Sequence, residues 1–366
     1  MSVQFIGFVG NHSGSEILPP SGPAVDPAYI EAAATIHENA GFDRVLMAFG
    51  SGSPESILVG QHVASVTRDL GLMIAHRPGF NAPTILARQL ATLDHLTRGR
   101  VAVHIITGAD DAELARDGDH LTKDERYARS GEYLDIVRAS WTSTAPFDYQ
   151  GKYYKVDQGF ADVKPYQPGG IPVFVGGASP AAIEVSGRHA DVYALWGETL
   201  EQVKELVARV RAAAAPHGRT PRFSLSLRPI IADTEEAAWA RADQILERAR
   251  DLARNTPHGR FRSASGHQPV NEGSRRLLAA AAQGTRLDKR LWTAIAAEFG
   301  ARGNSTSLVG TGEQVAEALL DYYDIGIDHF LIRGFDPLHD AITYGRELLP
   351  RVRALVAERD AQRQAA

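Results

Sequence analysis

The feature that most constrains the fold of this chain is a regular alternation of short apolar runs with longer amphipathic stretches. Several runs consist almost entirely of Val, Ile, Leu, Ala and Phe, which is typical of parallel strands buried on both faces. The eight predicted strands are Gln4–Val9, Arg44–Phe49, Leu70–Arg77, Arg100–Thr107, Ile171–Gly176, Asp191–Trp196, Phe223–Ala232 and His329–Arg333. Strand–helix alternation on this scale predicts an α/β fold, a (β/α)8 TIM barrel over residues 1–366 as a single domain. A doubly wound sheet is the second alternative, but it usually has fewer strands, and no G-x-G-x-x-G follows the first one.

The amphipathic stretches between the strands carry recognisable helix-start and helix-stop signals. The predicted helices are Pro27–Ala40, Pro54–Thr67, Ala82–Thr97, Asp124–Trp141, Pro180–His189, Leu200–Ala215, Glu235–Arg254, Glu313–Ile325 and Leu338–Arg359. Ser53 and Ser179 each precede a proline, which predicts an N-cap serine with proline at the first helical position. Several helices end at glycine, the usual C-terminal signal.

Two segments interrupt the alternation. Residues Thr142–Gly170 form a long connection rich in Tyr, Gly, Pro and Lys. Residues 255–306 form a basic insertion before the last strand. A connection of that length in a compact domain is usually a functional lid, and we predict a lid with short helices; an insertion without function is the alternative.

Composition narrows the class of partner and the chemistry. The 366-residue chain has a formal net charge of -5, which argues against nucleic acid or an acidic membrane surface as the main partner. It has no cysteine, so disulfides, thiolate metal sites and cysteine nucleophiles are excluded within it. No apolar run reaches the roughly 18 residues that span a bilayer. The start, MSVQFIGFVG, lacks a signal-peptide pattern, so we expect a cytoplasmic protein.

In a TIM barrel the active site lies at the C-terminal ends of the strands. The predicted strand ends carry imidazole, guanidinium, aromatic and glycine residues: His12, Phe49–Ser51, His76–Arg77, His104 with Thr107, Gly176–Ser179, Trp196, Ser226 with Arg228, and Arg333–Phe335. The set lacks a carboxylate pair, which weakens a glycosidase interpretation. It also lacks H-x-H and H-E-x-x-H spacings, so no metal site is predicted.

The segment Gly176-Gly177-Ala178-Ser179 connects a buried strand to a helix. Paired glycines allow close approach of the backbone to a ligand, and the free N–H groups of a helix start suit a phosphate. Helix capping explains Ser179 equally well, so spacing alone leaves both interpretations open.

The chain resembles the bacterial luciferase-like flavin monooxygenases, and within them the alkanesulfonate monooxygenase branch. The resemblance runs over about Phe5–Pro350, and the residues that carry it are HRPGFNAPTILARQLATLDHLTRGR (His76–Arg100), HIITGADDAELARDGDHLTKDERY (His104–Tyr127), FVGGASPAA (Phe174–Ala182), DVYALWGE (Asp191–Glu198) and SLVG (Ser307–Gly310). The family implies a (β/α)8 barrel with an insertion before the last strand.

The resemblance also implies a cofactor and its binding residues. It implies FMN, received in reduced form (FMNH2) from a separate NAD(P)H:flavin reductase, with O2 as co-substrate. The phosphate would bind at Gly176, Gly177, Ala178 and Ser179, with help from Tyr127. His104 and Thr107 match positions near the flavin ring, although the sulfonate branch usually has Asn at the first. His76 and Trp196 would flank the ring or the substrate, and Tyr127 and Trp196 as ordinary core aromatics are the alternative.

The residues at the positions that would contact the substrate differ from those of the alkanesulfonate monooxygenase branch. Ser53 stands where that branch has a cysteine, Ser226 and Arg228 replace its Arg-x-His pair, and Phe335 replaces a tyrosine. Its arginine near the end of the lid aligns with Ala301, next to Arg302. Arg228 is either a clamp for an anion or developing charge or a structural partner of a barrel carboxylate. His12 is then the predicted proton-transfer residue.

These features predict a two-component FMNH2-dependent monooxygenase that oxygenates a small organic substrate through a flavin (hydro)peroxide. The substrate would be an alkanesulfonate, giving aldehyde and sulfite, or another organosulfur or carbonyl compound. An F420-dependent oxidoreductase and a non-catalytic flavin-binding protein are the alternatives. The family commonly forms homodimers or homotetramers, which we expect here also.

Overall fold

The computed structural model describes residues 3–108, 110–255, 271–301, 303 and 305–365. Its strands are β1 (Gln4–Val9), β2 (Arg44–Met47), β3 (Gly71–His76), β4 (Val101–Ile105), β5 (Phe147–Gln150), β6 (Lys155–Gly159), β7 (Val173–Gly176), β8 (Val192–Trp196), β9 (Arg222–Leu227), β10 (Ile230–Ile231), β11 (Arg286–Leu287), β12 (Leu291–Trp292), β13 (Ser307–Gly310) and β14 (His329–Ile332). Eight of them close into a parallel barrel in the order β1-β14-β9-β8-β7-β4-β3-β2. The predicted TIM barrel is therefore confirmed.

Helices lie between the barrel strands, as the sequence pattern predicts, and α12 and α13 follow the last one. They are α1 (Pro27–Asn39), α2 (Ser56–Val66), α3 (Pro83–Leu96), α4 (Asp111–Ala115), α5 (Lys123–Thr142), α6 (Pro180–His189), α7 (Leu200–Ala214), α8 (Glu235–Asn255), α9 (Glu272–Ala281), α10 (Ala294–Phe299), α11 (Gly312–Asp324), α12 (Pro337–Thr343) and α13 (Leu349–Ala365). The predicted final helix is interrupted by a π-helical segment at Tyr344–Leu348. The short helix α4 was not predicted.

The chain forms two compact units. The first consists of Met1–Val45, Ala194–Ala208 and Arg222–Ala366, and the second of Leu46–Tyr193 and Arg209–Pro221. The prediction of one domain over residues 1–366 stays a prediction.

In the first unit, β14 lies between β1 and β9 and pairs in parallel with both. Leu331 is opposite Ile6 on one side and Ser226 on the other. A Cβ at Gly7 would lie 2.2 Å from the ring of His37, so the close packing of α1 on β1 requires glycine there. This three-strand segment fixes the positions of the residues that follow β9 and β14.

The predicted seventh strand, Phe223–Ala232, is wrong as a single element. It divides into β9 and β10 at Arg228-Pro229, and proline cannot donate a backbone hydrogen bond. β10 leaves the barrel and pairs with β13 in a second sheet of order β10-β13-β12-β11. The break directs the chain away from the barrel immediately after Arg228.

In the second unit, β3, β4 and β7 are parallel neighbours, with Ala75 opposite His104 and His104 opposite Phe174. The predicted N-cap at Ser53 is wrong. The helix begins at Ser56, and the Glu55 carboxylate caps it by accepting the N–H of Leu58 at 2.8 Å.

The long connection Thr142–Gly170 contains the antiparallel hairpin β5–β6. Glu132 on α5 anchors its turn by accepting the backbone N–H groups of Lys152, Tyr153 and Tyr154 at 2.8–3.1 Å. A half-exposed hairpin with polar residues carries too little apolar patterning to be predicted from sequence.

The insertion before the last strand is confirmed for the residues that can be described. Its described part, 271–301, contains α9, the β11–β12 hairpin and α10. Residues 256–270, within the predicted lid, and 302 and 304 lie outside the described residues. No helix of the described chain is long and apolar enough to span a membrane.

Candidate active site

The glycine turn predicted to hold a phosphate lies in the second unit, between β7 and α6. β7 ends at Gly176, and α6 begins at Pro180 with Ser179 as its N-cap. The hydroxyl of Ser179 accepts the N–H of Ala182 at 3.3 Å, which confirms the predicted cap. Gly177 has φ +123°, a conformation that favours glycine.

Two tyrosines surround this turn and explain why Gly177 has no side chain. The Tyr127 hydroxyl donates to the Gly176 carbonyl at 3.2 Å, and the Tyr193 hydroxyl donates to the Gly177 carbonyl at 2.5 Å. A Cβ at Gly177 would lie 2.1 Å from the Tyr127 hydroxyl and 2.8 Å from Cβ of Ala182. Packing and hydrogen bonds therefore hold the turn on the side of the two tyrosines.

The donors at this turn fit a phosphate. Gly176, Gly177 and Ser179 are only partly buried, and the ten-residue helix α6 directs its N-terminal dipole end here. Burial raises the pKa of Tyr127, whose hydroxyl also hydrogen-bonds the side chain of Thr107. Tyr127 is thus a neutral donor at physiological pH, and the predicted Thr107 contacts it directly.

Two predicted histidines on neighbouring strands are neutral at pH 7. His104 on β4 packs edge-on against Phe174, with ring centroids 6.5 Å apart, and burial lowers its pKa to about 4. His76 at the end of β3 has Nε2 2.9 Å from the Tyr133 hydroxyl, and burial lowers its pKa to about 3. Both rings can orient a ligand by hydrogen bonding, but neither supplies positive charge.

Arg77, a strand-end residue to which the sequence analysis assigns no role, lies next to His76 in the second unit among aromatic and polar side chains. The Arg77 guanidinium lies 5.3 Å from the ring centre of Phe49 and 5.9 Å from that of Phe80. Its Nη2 donates to Glu113 at 3.1 Å, and Nη1 donates to the Ser51 hydroxyl at 3.3 Å. Phe49 and Arg77 end predicted strands and Ser51 follows one, and this position at strand ends is the sequence signal that pointed to them.

His12 follows β1 in the first unit. Its Nδ1 is 2.8 Å from the carbonyl oxygen of Ser13, and because a carbonyl only accepts, Nδ1 carries the hydrogen in this contact. Nε2 is then the ring atom that can take up a proton. The loop around His12 is closed by an antiparallel bridge between Ser13 and Ser21.

Arg228 is fully buried and has a carboxylate partner, the structural alternative that the sequence leaves open. Its Nη2 donates to Glu16 at 2.6 Å and to the Gly334 carbonyl at 3.0 Å. Its Cζ lies 3.5 Å above the ring centre of Phe335, which is itself fully buried. Glu16 was not among the predicted site residues, and the 212 positions that separate it from Arg228 leave no local signal.

The other predicted substrate residues have different surroundings. Trp196 packs against the insertion, where a Cβ at Gly273 would lie 2.8 Å from its ring. Ser226 is a half-buried residue of β9, and Ser53 closes a turn with its N–H on the Gly50 carbonyl at 2.9 Å. Arg302 lies outside the described residues.

Within the residues described, no group of three or more His, Cys, Asp or Glu side chains is arranged to hold a metal ion. The donors at the glycine turn are hydroxyl and backbone N–H groups, which suit an anion such as phosphate.

A closed parallel eight-stranded barrel surrounded by helices defines a (β/α)8-barrel protein. The model of the luciferase-like monooxygenase family matches residues 3–329. The chain therefore belongs to the luciferase-like monooxygenases.

Solved structures at low identity share the fold. A riboflavin lyase is 20% identical with a TM-score of 0.77, covering 97% of this chain and 92% of the other. EDTA monooxygenase from Chelativorans sp. BNC1 is 20% identical with a TM-score of 0.75, covering 97% and 94%. An F420-dependent secondary alcohol dehydrogenase is 18% identical with a TM-score of 0.69, covering 96% and 99%. Because the identities are low, these similarities establish the fold alone.

Proposed function

We propose that this protein is a two-component FMNH2-dependent monooxygenase of a small organic substrate. The observation that carries the proposal is the turn Gly176–Ser179, where the capped helix α6 begins and the Tyr127 hydroxyl lies against the Gly176 carbonyl. The family to which the chain belongs supplies the oxygenation chemistry.

The turn is proposed to hold the FMN phosphate. Gly176, Gly177, Ala178 and Ser179 would surround it, and Tyr127 would help by turning its hydroxyl hydrogen from the Gly176 carbonyl to the phosphate. A dianion gains from both the helix dipole and the convergent N–H groups, and no buried arginine is needed there. When bound in reduced form, the flavin supplies electrons to O2 so that one oxygen atom enters the substrate.

His76, His104 and Thr107 are proposed to orient the flavin ring. Burial keeps both imidazoles neutral, so they act as hydrogen-bond partners without adding a second positive charge. Neutral partners suit a ring whose charge changes during the reaction.

His12 is proposed to move a proton at Nε2 while Nδ1 remains bound to the Ser13 carbonyl. An imidazole fixed at one nitrogen presents the other in a defined direction, the arrangement that general acid–base catalysis needs. Arg228, whose charge is paired with Glu16, is proposed as the structural partner of that carboxylate and of the Phe335 ring.

Trp196, Ser226 and Phe335 of the first unit, Ser53 of the second unit and Arg302 are each proposed as substrate residues, and the segment 255–306 is proposed as the lid. Closure excludes water from a reactive oxygen species. An alkanesulfonate, cleaved to aldehyde and sulfite, and another organosulfur compound are the two substrate classes under this proposal.

An F420-dependent oxidoreductase is the competing function, since a dehydrogenase with that cofactor has the same fold at a TM-score of 0.69. It would transfer hydride and would not consume O2. A protein that binds flavin without catalysis is the third possibility.

Anaerobic titration with FMNH2 and, separately, with reduced F420 tests the proposal. We expect micromolar-range binding of FMNH2 and weaker binding of F420, followed by substrate-dependent product formation when O2 is admitted. Preference for F420 would favour hydride transfer. Tight FMNH2 binding without substrate-dependent product formation when O2 is admitted would favour a non-catalytic protein.

A separate NAD(P)H:flavin reductase as the source of FMNH2, a homodimer or homotetramer, and a cytoplasmic location complete the proposal. Size-exclusion chromatography with light scattering tests the assembly.

A further inference from the structure

A buried carboxylate joins two arginines at the ends of β9 and β14. Glu16 Oε2 accepts from Arg228 Nη2 at 2.6 Å, and its Oε1 accepts from Arg333 Nη2. The side chain of Glu16 is 5% exposed, that of Arg228 0% and that of Arg333 20%. Both arginines immediately follow barrel strands, at the end where TIM barrels place substrate.

The loop after β1 is built to hold this carboxylate in place. The Ser15 hydroxyl accepts the N–H groups of Ile17 and Leu18 at 3.2 Å, and Ser13 bridges Ser21. Ile17 packs against the apolar cluster that contains Phe335. Glu16 is therefore fixed by both neighbours in the chain, so its position does not depend on the arginines alone.

The ion pairs keep Glu16 charged. Burial by itself would raise its pKa, but Arg228 and Arg333 hold the pKa well below its ordinary value. Charge-assisted hydrogen bonds to two guanidinium groups are strong, and breaking a buried pair leaves an uncompensated charge. An incoming anion would have to displace a carboxylate that is already bonded and almost completely buried.

We propose that Glu16 is a specificity-determining residue: its carboxylate occupies the position where an anionic substrate group would meet Arg228 and Arg333. This inference rests on the proposed function. The substrate accordingly presents an uncharged group, such as a thioether, sulfone or carbonyl, to the ends of β9 and β14. Of the two substrate classes above, it selects the uncharged organosulfur compound over the alkanesulfonate.

Removing the Glu16 carboxylate should turn its position between Arg228 and Arg333 into an anion-binding site. In the part of the chain that is described, Nε and Nη1 of Arg228 already lack a hydrogen-bond partner. Glu16→Ala would take the carboxylate away from Nη2 of Arg228, which keeps its bond to the Gly334 carbonyl, and from Nη2 of Arg333. It would also leave a space the size of a small carboxylate. Formate and methanesulfonate are the probes, because they match the lost group and the sulfonate head, respectively.

Thermal unfolding in sodium formate, sodium methanesulfonate and sodium chloride at equal ionic strength is the first measurement. We expect Glu16→Ala to melt lower than wild type in chloride and to regain several degrees in formate or methanesulfonate. Wild type should melt at the same temperature in all three salts. Glu298→Ala is the matched control, since Glu298 pairs with Arg250 on the exposed surface, and it should show no anion preference.

Calorimetric titration of wild type and of Glu16→Ala with methanesulfonate is the second measurement. We expect methanesulfonate to bind Glu16→Ala at least tenfold more tightly than wild type. If wild type itself binds methanesulfonate as tightly as the variant does, the arginines are open to anions and the proposal is overturned.

Glu16→Ser also removes the carboxylate and leaves room for an anion, and it replaces the alanine variant if that protein does not fold. Lack of anion preference in a folded variant would also overturn the proposal. FMN titration of the same preparations separates failure of the proposed function from failure of the Glu16 proposal. Wild type that binds no FMN contradicts the proposed function, whereas the salt series tests Glu16 without flavin.

Discussion

Gly177→Ala is the substitution that most sharply tests the packing at the glycine turn. An L-residue at φ +123° is strained, by roughly 1–2 kcal/mol. The new Cβ would also lie 2.1 Å from the Tyr127 hydroxyl and 2.8 Å from Cβ of Ala182, and overpacking costs roughly 1–3 kcal/mol. We therefore expect the free energy of unfolding to fall by about 2–5 kcal/mol, the sum of the two effects.

The assay is denaturant unfolding of the variant beside Gly170→Ala. Gly170 also has a positive φ, +82°, but a Cβ there meets nothing within 4 Å. The control should therefore lose only the strain, about 1–2 kcal/mol. Equal losses in the two variants would refute the crowding argument.

A double-mutant cycle with Tyr127→Phe identifies the crowding atom. Removing the hydroxyl leaves the Tyr127 Cζ position 3.1 Å from the new Cβ. The alanine at 177 should then cost about 1 kcal/mol less than in the wild-type background. If the losses of stability in the two single variants simply add in the double variant, the turn moves away from Tyr127 and the new Cβ does not clash with its hydroxyl.

Two further predictions concern buried groups of the second unit. Because burial lowers the pKa of His104 from 6.5 to about 4, the unfolded chain takes up a proton that the folded protein refuses, so stability falls as the pH drops from about 6.5 towards about 4. His104→Asn should make the free energy of unfolding less dependent on pH, by up to roughly 1.4 kcal/mol per pH unit. Denaturant unfolding at pH 7, 6 and 5 measures this dependence, and an unchanged slope would contradict the lowered pKa of His104. Asp94 is fully buried and accepts the N–H groups of Tyr166 and Gln167 at 2.8 and 3.0 Å. Asp94→Ala should lower stability by about 2–4 kcal/mol, and a loss below about 1 kcal/mol would show that water replaces the carboxylate.

The barrel could be predicted from sequence because parallel strands buried on both faces leave continuous apolar runs. β1 begins and ends where it was predicted, at Gln4–Val9. The errors occur where a single backbone feature outweighs the apolar pattern, such as the proline that separates β9 from β10. The Glu55 cap on α2 was missed because serine before proline is the stronger local signal.

The candidate site could be predicted only where its determinants are local. Ser179 and the paired glycines lie within four residues of one another, and the cap was confirmed. The carboxylate partner of Arg228 is 212 positions away in sequence, so nothing near residue 228 indicates Glu16. The contact of Gly177 with Tyr127 likewise depends on how α5 packs beside β7, which a single sequence does not encode locally.

Comparison of reduced FMN with reduced riboflavin, which lacks the phosphate, tests the central claim most directly. If the turn Gly176–Ser179 holds a phosphate, FMN should bind at least about tenfold more tightly in anaerobic titration, the contribution of one or more charge-assisted hydrogen bonds. Ser179→Ala, which removes the hydroxyl, should narrow that difference. Equal affinity for the two flavins, or no binding of either, would contradict the account.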